Sequence, residues 1–492
     1  MSDLPLILQL SADTRADRAL IGGKAASLLT LAGIGAAVPP AFVLTTEAYR
    51  QWAANPDAGF VCALIDEGIA GLEAVSGRKL GAGLIVSVRS GAPVSMPGMM
   101  DTVLNAGIGV PAADAEPFIH EARLRFLRQY CELVLGIDPG GADTEQDFRA
   151  LAGGRFPETP RDELVGAAEA VFASWQSSRA KLYRRMRKID DNLGTSVTIQ
   201  QMVFGNRGAN SGSGVAFTRD PTSGAHGLTG EYIQRGQGEE IVAGKETGAG
   251  LDGWRAAQPE RFAELRVLGE RLEADTHKVH EIEFTVEEGR LFVLQCRPAL
   301  LTAKGAARVA VEMMREGRLD RAEAVAYAMT QGFDPAADPN AMGIAPGHEP
   351  AGRGLAVGGG VATGRLAFST ERAAEFAKGG EPVVFATVET SPSLLPVMQK
   401  SAALLTMSGG ATSHAAVVAR ELGTPCAVGI GAEIADGTLW LGAGLNEGDW
   451  VTVDGDSGEF FAGNVGVLMS RLSEYEAELR DWATKAPTRQ QA

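Results

Sequence analysis

From residue 1 to about 300, short β-branched runs alternate with stretches whose apolar residues recur every three or four positions. That mixture predicts an α/β chain. Leu84-Ile85-Val86-Ser87-Val88 and Val197-Thr198-Ile199 read as strands. Between roughly 112 and 190 the strand signals stop. Glu121-Ala122-Arg123-Leu124-Arg125-Phe126-Leu127 and Leu164-Val165-Gly166-Ala167-Ala168-Glu169-Ala170-Val171-Phe172 have helical spacing, so this stretch reads as a helical insert. Glu281-Ile282-Glu283-Phe284-Thr285-Val286, a turn near Gly289, and Leu291-Phe292-Val293-Leu294-Gln295-Cys296-Arg297-Pro298 read as a β-hairpin. Alternation puts Glu281 and Glu283 on one face of its first strand, and Gln295 and Arg297 on one face of its second. Helical spacing returns over 303–330. From Asp334 to Gly360 the chain is dense in Pro, Gly, Ala and Asp, the composition of a linker. Beyond it, Val383-Val384-Phe385, Leu404-Leu405-Thr406 and Trp450-Val451-Thr452-Val453 predict a second α/β segment with its own strands. Residues 467–492 read as a short helix and a polar tail. No internal repeat is visible.

Composition narrows the function without naming it. The chain has 492 residues, room for two to four domains. Its formal net charge of −16 argues against a broad nucleic-acid surface. The basic run Arg184-Arg185-Met186-Arg187-Lys188 is short and reads as a solvated helix end or a local contact. Cys62, Cys131, Cys296 and Cys426 are scattered without CxxC spacing, which disfavours a zinc site or a disulfide framework and favours a reducing compartment. With no signal-like leader and no apolar run of about 18 residues, the expected location is cytoplasmic, with no membrane partner.

Four clusters carry candidate chemistry. In Leu404-Leu405-Thr406-Met407-Ser408-Gly409-Gly410-Ala411-Thr412-Ser413-His414-Ala415-Ala416-Val417-Val418-Ala419-Arg420, a glycine-paired turn delivers His414 to the start of an apolar helix. Thr412 or Ser413 would cap that helix, and Gly423 with Pro425 would end it. A helix N-terminus favours an anion, so an imidazole there is placed to carry a phosphoryl group. In Ile21-Gly22-Gly23-Lys24 the glycines admit a phosphate and Lys24 supplies charge, although a plain turn before a helix fits as well. Val88-Arg89-Ser90-Gly91-Ala92-Pro93-Val94-Ser95-Met96-Pro97-Gly98-Met99-Met100-Asp101-Thr102 runs from a strand into a loop suited to covering phosphates. In the hairpin, Glu281 and Glu283 suit Mg²⁺, and Arg297 suits a phosphate oxygen. A half-exposed polar sheet face is the plainer alternative. His277 and His280 have a spacing seen in metal sites, but nothing nearby completes a zinc-like set.

GG-x-TSHAA-x-x-AR resembles the phosphohistidine signature of the phosphoenolpyruvate (PEP)-utilising enzymes. VRSGA-x-VSMPGMMDTVLN, with Gln201-Met202-Val203-Phe204-Gly205-Asn206, Ser211 to Pro221, Gln237 to Gly244 and the hairpin, resembles the ATP-grasp domain of the pyruvate phosphate dikinases. The likeness extends over about residues 15 to 466. It implies an ATP-grasp nucleotide-binding domain at 1–300 with the helical insert at 112–190. A helical linker at 301–345, a swivelling β/α phosphohistidine domain at 346–467 and a C-terminal helix and tail at 468–492 would follow.

By that resemblance His414 is the catalytic carrier. Lys24, Arg89, Gly98, Thr102, Glu281, Glu283, Gln295 and Arg297 are the nucleotide contacts, with Mg²⁺ on Glu281 and Glu283. The likeness implies ATP and phosphate as substrates, with AMP and pyrophosphate as products. The sequence departs from the pattern at Glu281, where the family usually has aspartate. It departs at Met407-Ser408, where an arginine commonly precedes the glycine pair. It also departs at Gly358-Gly359-Gly360, where a proline often stands, which is expected to loosen the entry into the domain. The dikinases continue into a TIM barrel that binds pyruvate, and no such segment follows residue 468. The expected acceptor is therefore pyruvate on a separate barrel-type subunit. The alternatives are a small hydroxyl compound phosphorylated by a two-component synthase, and an adenylate-sensing phosphocarrier. Assembly as a homo-oligomer stays open.

Overall fold

A computed structural model describes residues 4–94, 96, 99–112, 114–238, 249–336, 341–441, 443–470 and 473–485. They fall into two compact units. One runs up to Arg207 and includes Phe292–Cys296; the other comprises Gly208–Leu291 and the chain from Arg297 onward.

The first unit is built on an antiparallel sheet in the order Ile7–Leu10, Ala41–Leu44, Ser196–Gln201, Val86–Gly91, Thr102–Ala106. Phe42 is fully buried, and Gly68 of the helix Ala58–Ser76 lets its ring approach, because a Cβ there would lie 2.2 Å from it. The insert is helical, as its spacing predicts: Pro117–Gln129 continues as a π-helical turn Tyr130–Leu135, followed by Glu145–Ala152, Pro160–Ser174 and Ser178–Arg187. Thr144 and Thr159 cap two of these helices. The basic run is only partly a solvated helix end. Arg184 is buried, lies over the Trp175 ring at 4.1 Å and donates to Asp191.

The second unit holds two larger sheets. In the first, Ala249–Gly250, His226–Gln234, Gly212–Arg219 and His280–Glu287 pair antiparallel in that order. Tyr232 covers Gly212 and Phe284 covers Gly214, with Trp254 packed on both rings. From His280–Glu287 the chain turns through Glu288 and Gly289, at φ 47° and 80°, into Arg290–Pro298. Two positive φ values in a two-residue connection give the hairpin twist that the sequence anticipates. The middle of that strand, Phe292–Cys296, belongs to the first unit.

The other sheet has eight strands: Gly352–Arg353, Glu459–Ala462, Trp450–Asp454, Val361–Ala367, Val383–Thr387, Ala403–Thr406, Cys426–Val428, Leu355–Gly358. The four from Val361–Ala367 to Cys426–Val428 run parallel. One sequence expectation needs correction here. Ala341–Ile344, read as the end of a helical linker, is a strand paired with Val467–Ser470. The glycine run has a further structural role. A Cβ on Gly358 would lie 2.1 Å from the Thr424 carbonyl oxygen, so glycine permits a close backbone approach.

Candidate functional site

His414 stands where two local rules meet. The strand Ala403–Thr406 ends, the chain turns through Gly409 at φ 99°, and the helix His414–Leu422 returns toward Cys426–Val428. Ser413 caps the helix by accepting from the Ala416 N–H, and Gly423 closes it at φ 66°. The site therefore lies off the carboxyl edge of parallel strands, where α/β sheets place ligands. Thr390 follows the neighbouring parallel strand Val383–Thr387, and its Oγ1 is 3.2 Å from His414 Nδ1. Nδ1 is thus the ring nitrogen that Thr390 engages. Burial lowers the His414 pKa and so favours the neutral ring. A shallow depression opens beside it, bounded by Glu389, Thr406, Ser408 and Gly409. Neither lysine nor arginine is among the described residues that line it.

The loop before His414 is held at one residue, Ala411, from both sides. The Ala411 N–H donates to Glu231 Oε1 at 2.5 Å, and Arg420 Nη2 donates to the Ala411 carbonyl at 2.7 Å. Burial pushes the Arg420 pKa down to about 10, and its guanidinium lies 5.6 Å from the Phe217 ring centre. Met407, where the resemblance has an arginine nearby, is buried in the apolar core under the sheet.

The other candidates divide between the units. In the first, Gly22 has φ 77° and its Cα faces the Gly91 carbonyl, while Gly23 N–H donates to the Ala92 carbonyl at 2.9 Å. Lys24 thus starts a helical run pinned against the end of the Arg89 strand. Arg89 pairs in register with Thr102. Its guanidinium donates to Gln295 Oε1 at 2.9 Å and to Gln200 Oε1 at 3.3 Å. Arg89, Thr102 and Gln295 are therefore brought together, with Gln200 an unforeseen support. Gly98 lies outside the described residues.

In the second unit, Arg297 grips Glu281 through three hydrogen bonds of 2.7–3.0 Å. Burial opposes the charge on Arg297, but Glu281, with Glu283 and Glu421, raises its pKa overall. Glu281 and Glu283 alternate on one face of their strand, as expected, and both point away from the side bearing buried Ile282 and Phe284. Two carboxylates with oxygen donors fit Mg²⁺, which keeps waters and takes phosphate oxygens for the rest of its shell. Both Glu281 oxygens accept from Arg297. The histidine decoys resolve structurally. His277 ends a helix at φ 54°, and burial pushes His280 down to about 4 while its Nδ1 meets the Lys278 carbonyl.

Sequence reasoning missed Thr390 as a partner of His414, and also Glu231, Arg420 and Gln200. Arg420 lies in the motif noted for its resemblance, a usable signal. Glu231 carries no sequence signal, because its role depends on a contact 180 residues along the chain.

Comparison with known proteins adds two matched regions. Residues 61–249 match the family model "Pyruvate phosphate dikinase, AMP/ATP-binding domain", and 379–458 match "PEP-utilising enzyme, mobile domain". The chain is similar to pyruvate, phosphate dikinase of Rhizobium meliloti (36% identical, 95% of this chain, 58% of the relative). It is also similar to the chloroplastic pyruvate, phosphate dikinase 1 of Arabidopsis thaliana (36%, 95% of this chain, 53% of the relative). A third relative is the dikinase of Clostridium symbiosum (34%, 96% of this chain, 59% of the relative). The chain thus spans somewhat over half the length of these relatives. Among the described residues, no helix is long and apolar enough to cross a membrane.

Proposed function

The chain belongs to the family of pyruvate phosphate dikinases and PEP-utilising enzymes, and from that premise we propose that it is an ATP-dependent phosphotransferase with His414 as the phosphoryl carrier. The observation that carries this reading is the setting of His414: a half-buried imidazole at a helix N-terminus, engaged at Nδ1 by Thr390, whose charged form burial disfavours. Residues 1–300 would bind ATP, and 346–467 would form the mobile carrier domain.

Nε2 attacks the β-phosphorus of ATP, the α–β bridge P–O bond breaks, and AMP leaves. Inorganic phosphate then takes the γ-phosphoryl group, pyrophosphate leaves, and one phosphoryl group stays on His414. Lys24, Arg89 and Arg297 neutralise phosphate charge, and Gln295 with Gln200 holds Arg89 in place. Thr102, paired beside Arg89, would contact the nucleotide, and Gly98 is assigned the same role by the family resemblance alone. This division of labour leaves catalysis mainly to positioning and electrostatics. Mg²⁺ held by Glu281 and Glu283 would supply further neutralisation of the polyphosphate. The acceptor is pyruvate, a reading supported by the relatives' names.

The test is label transfer. The protein with β-³²P-ATP, Mg²⁺ and phosphate should acquire an acid-labile, base-stable label, with AMP and pyrophosphate formed in equal amounts. His414→Ala should lose the label and still bind ATP. Label retained in that variant would overturn the assignment. Adding pyruvate to the labelled chain, with and without a barrel-type partner, separates an acceptor site on this chain from one on a separate subunit.

A further inference from the structure

Glu231 sits in an unusual position for a carboxylate. It belongs to the strand His226–Gln234, far in sequence from His414, yet it accepts from the Ala411 N–H at 2.5 Å. It is buried. The loop has been shaped to admit it. A Cβ on Gly410 would lie 1.9 Å from Glu231 Oε1, so only glycine leaves room for the carboxylate. The Ala411 peptide is then only three residues from His414, inside a turn closed by Ser413 N–H donating to the Gly410 carbonyl at 3.1 Å.

The two grips on Ala411 differ in kind. Arg420 lies on the His414 helix and holds the Ala411 carbonyl from within the same local segment. Glu231 holds the N–H from a strand 180 residues earlier. Arg420 therefore preserves the shape of the loop, whereas Glu231 fastens that loop to its surroundings. The fastening is an anion set beside the residue that is to become anionic.

We propose that Glu231 is a charge-sensitive anchor, which holds the Gly410–Ala411 loop while His414 is unmodified and releases it when His414 carries a phosphoryl group. This inference rests on the carrier role of His414. A phosphoryl group adds between one and two negative charges near neutral pH. No lysine or arginine lines the described depression at His414 to absorb them, and Glu389 adds a further carboxylate there. Glu231 is buried and grips the backbone three residues before His414, so the added negative charge acts on its carboxylate with little water to screen it. The hydrogen bond to Ala411 is the contact that repulsion weakens, and the loop keeps its own form through Arg420. Phosphorylation would then free the loop at the moment the carrier has something to deliver.

The experiment is hydrogen exchange at the 409–413 amides of the full chain, before and after His414 is loaded, in the wild type and in Glu231→Gln. The substitution keeps an amide oxygen that accepts the same hydrogen bond in the same space, so only the charge repulsion is removed. In the wild type, loading should speed exchange at these amides about tenfold, the effect of roughly one charge-pair interaction. In Glu231→Gln the change on loading should be less than about threefold. An equal acceleration in both proteins, or none in the wild type, would overturn the anchor. Loading with phosphoramidate, which phosphorylates histidine without ATP, keeps the test independent of the nucleotide reaction. If ATP fails to label His414 while phosphoramidate succeeds, the proposed function fails and the anchor is still decided. If Glu231→Gln folds poorly, Gly410→Ala provides the second measurement: crowding the carboxylate out should give fast exchange before loading and no further increase after it.

Discussion

At the scale of single residues, the chemistry of His414 follows from what touches it. Burial disfavours the imidazolium, so the folded pKa lies below the ordinary histidine value. Protonation removes the nucleophilic lone pair. The rate of His414 labelling should therefore stay level as pH falls from about 8 through about 6.5, and decline only below the ordinary histidine range. A midpoint at or above that ordinary value would contradict this. Thr390 is a positioning residue whose hydroxyl engages Nδ1. Thr390→Val should slow labelling about five- to tenfold, the worth of one hydrogen bond, and shift the pH midpoint. Thr390→Ser should restore both, a rescue that a merely structural role would not produce. His414 itself was legible in the sequence because its cap, glycine turn and helix stop are all local. Thr390 was not, because adjacency of parallel strands brings it in from 24 positions away.

Single elements are decided by close backbone approach as much as by hydrophobic pattern. The run Arg18–Gly33 is broken at Gly22, where φ is 77° and a Cβ would lie 1.8 Å from the Gly91 carbonyl oxygen. An L-residue meets both a strained backbone and an atom that cannot move cheaply. Gly22→Ala should destabilise the chain by roughly 3 kcal/mol or more, read as a lower midpoint in thermal unfolding of the full chain. It should also weaken ATP binding, because Lys24 and the end of the Arg89 strand share that turn. A variant of wild-type stability would show that the turn is not tight in solution. The sequence signalled a glycine turn before a helix, but not which strand end it met. Likewise, alternation placed Glu281 and Arg297 on facing strands of one hairpin. Their three hydrogen bonds depend on the twist and register that only the folded hairpin sets.

For the whole molecule, the far end of the chain takes part in the core. Leu479 and Trp482 of the helix Glu474–Lys485 are buried against Ala307, Val311, Ala324 and Phe333. The pattern of 467–492 predicts only a short helix and a polar tail, since a helix of 12 residues carries few apolar positions of its own. Packing against the helices Ala303–Arg315 and Arg321–Thr330 supplies what propensity lacks. Trp482→Ala should cost about 3–5 kcal/mol, seen as a large drop in the unfolding midpoint of the second unit's transition. An unchanged midpoint would mean that this helix is not docked in solution.

Near neighbours along the chain set the helical insert, the hairpin turn at Glu288-Gly289, the Ser413 cap and Gly423 stop around His414, and the motifs that carry the family. Periodicity, backbone permissiveness and capping all act within a few residues, so these features can be read without a fold. Which distant groups meet was decided only on folding. Folding put Thr390 on His414, Gln200 and Gln295 on Arg89, and Glu231 on the Ala411 peptide. It also turned Ala341–Ile344 into a strand by pairing it with Val467–Ser470. The reason is physical: a four-residue apolar segment has no conformation of its own to prefer, and a partner's hydrogen bonds choose one for it.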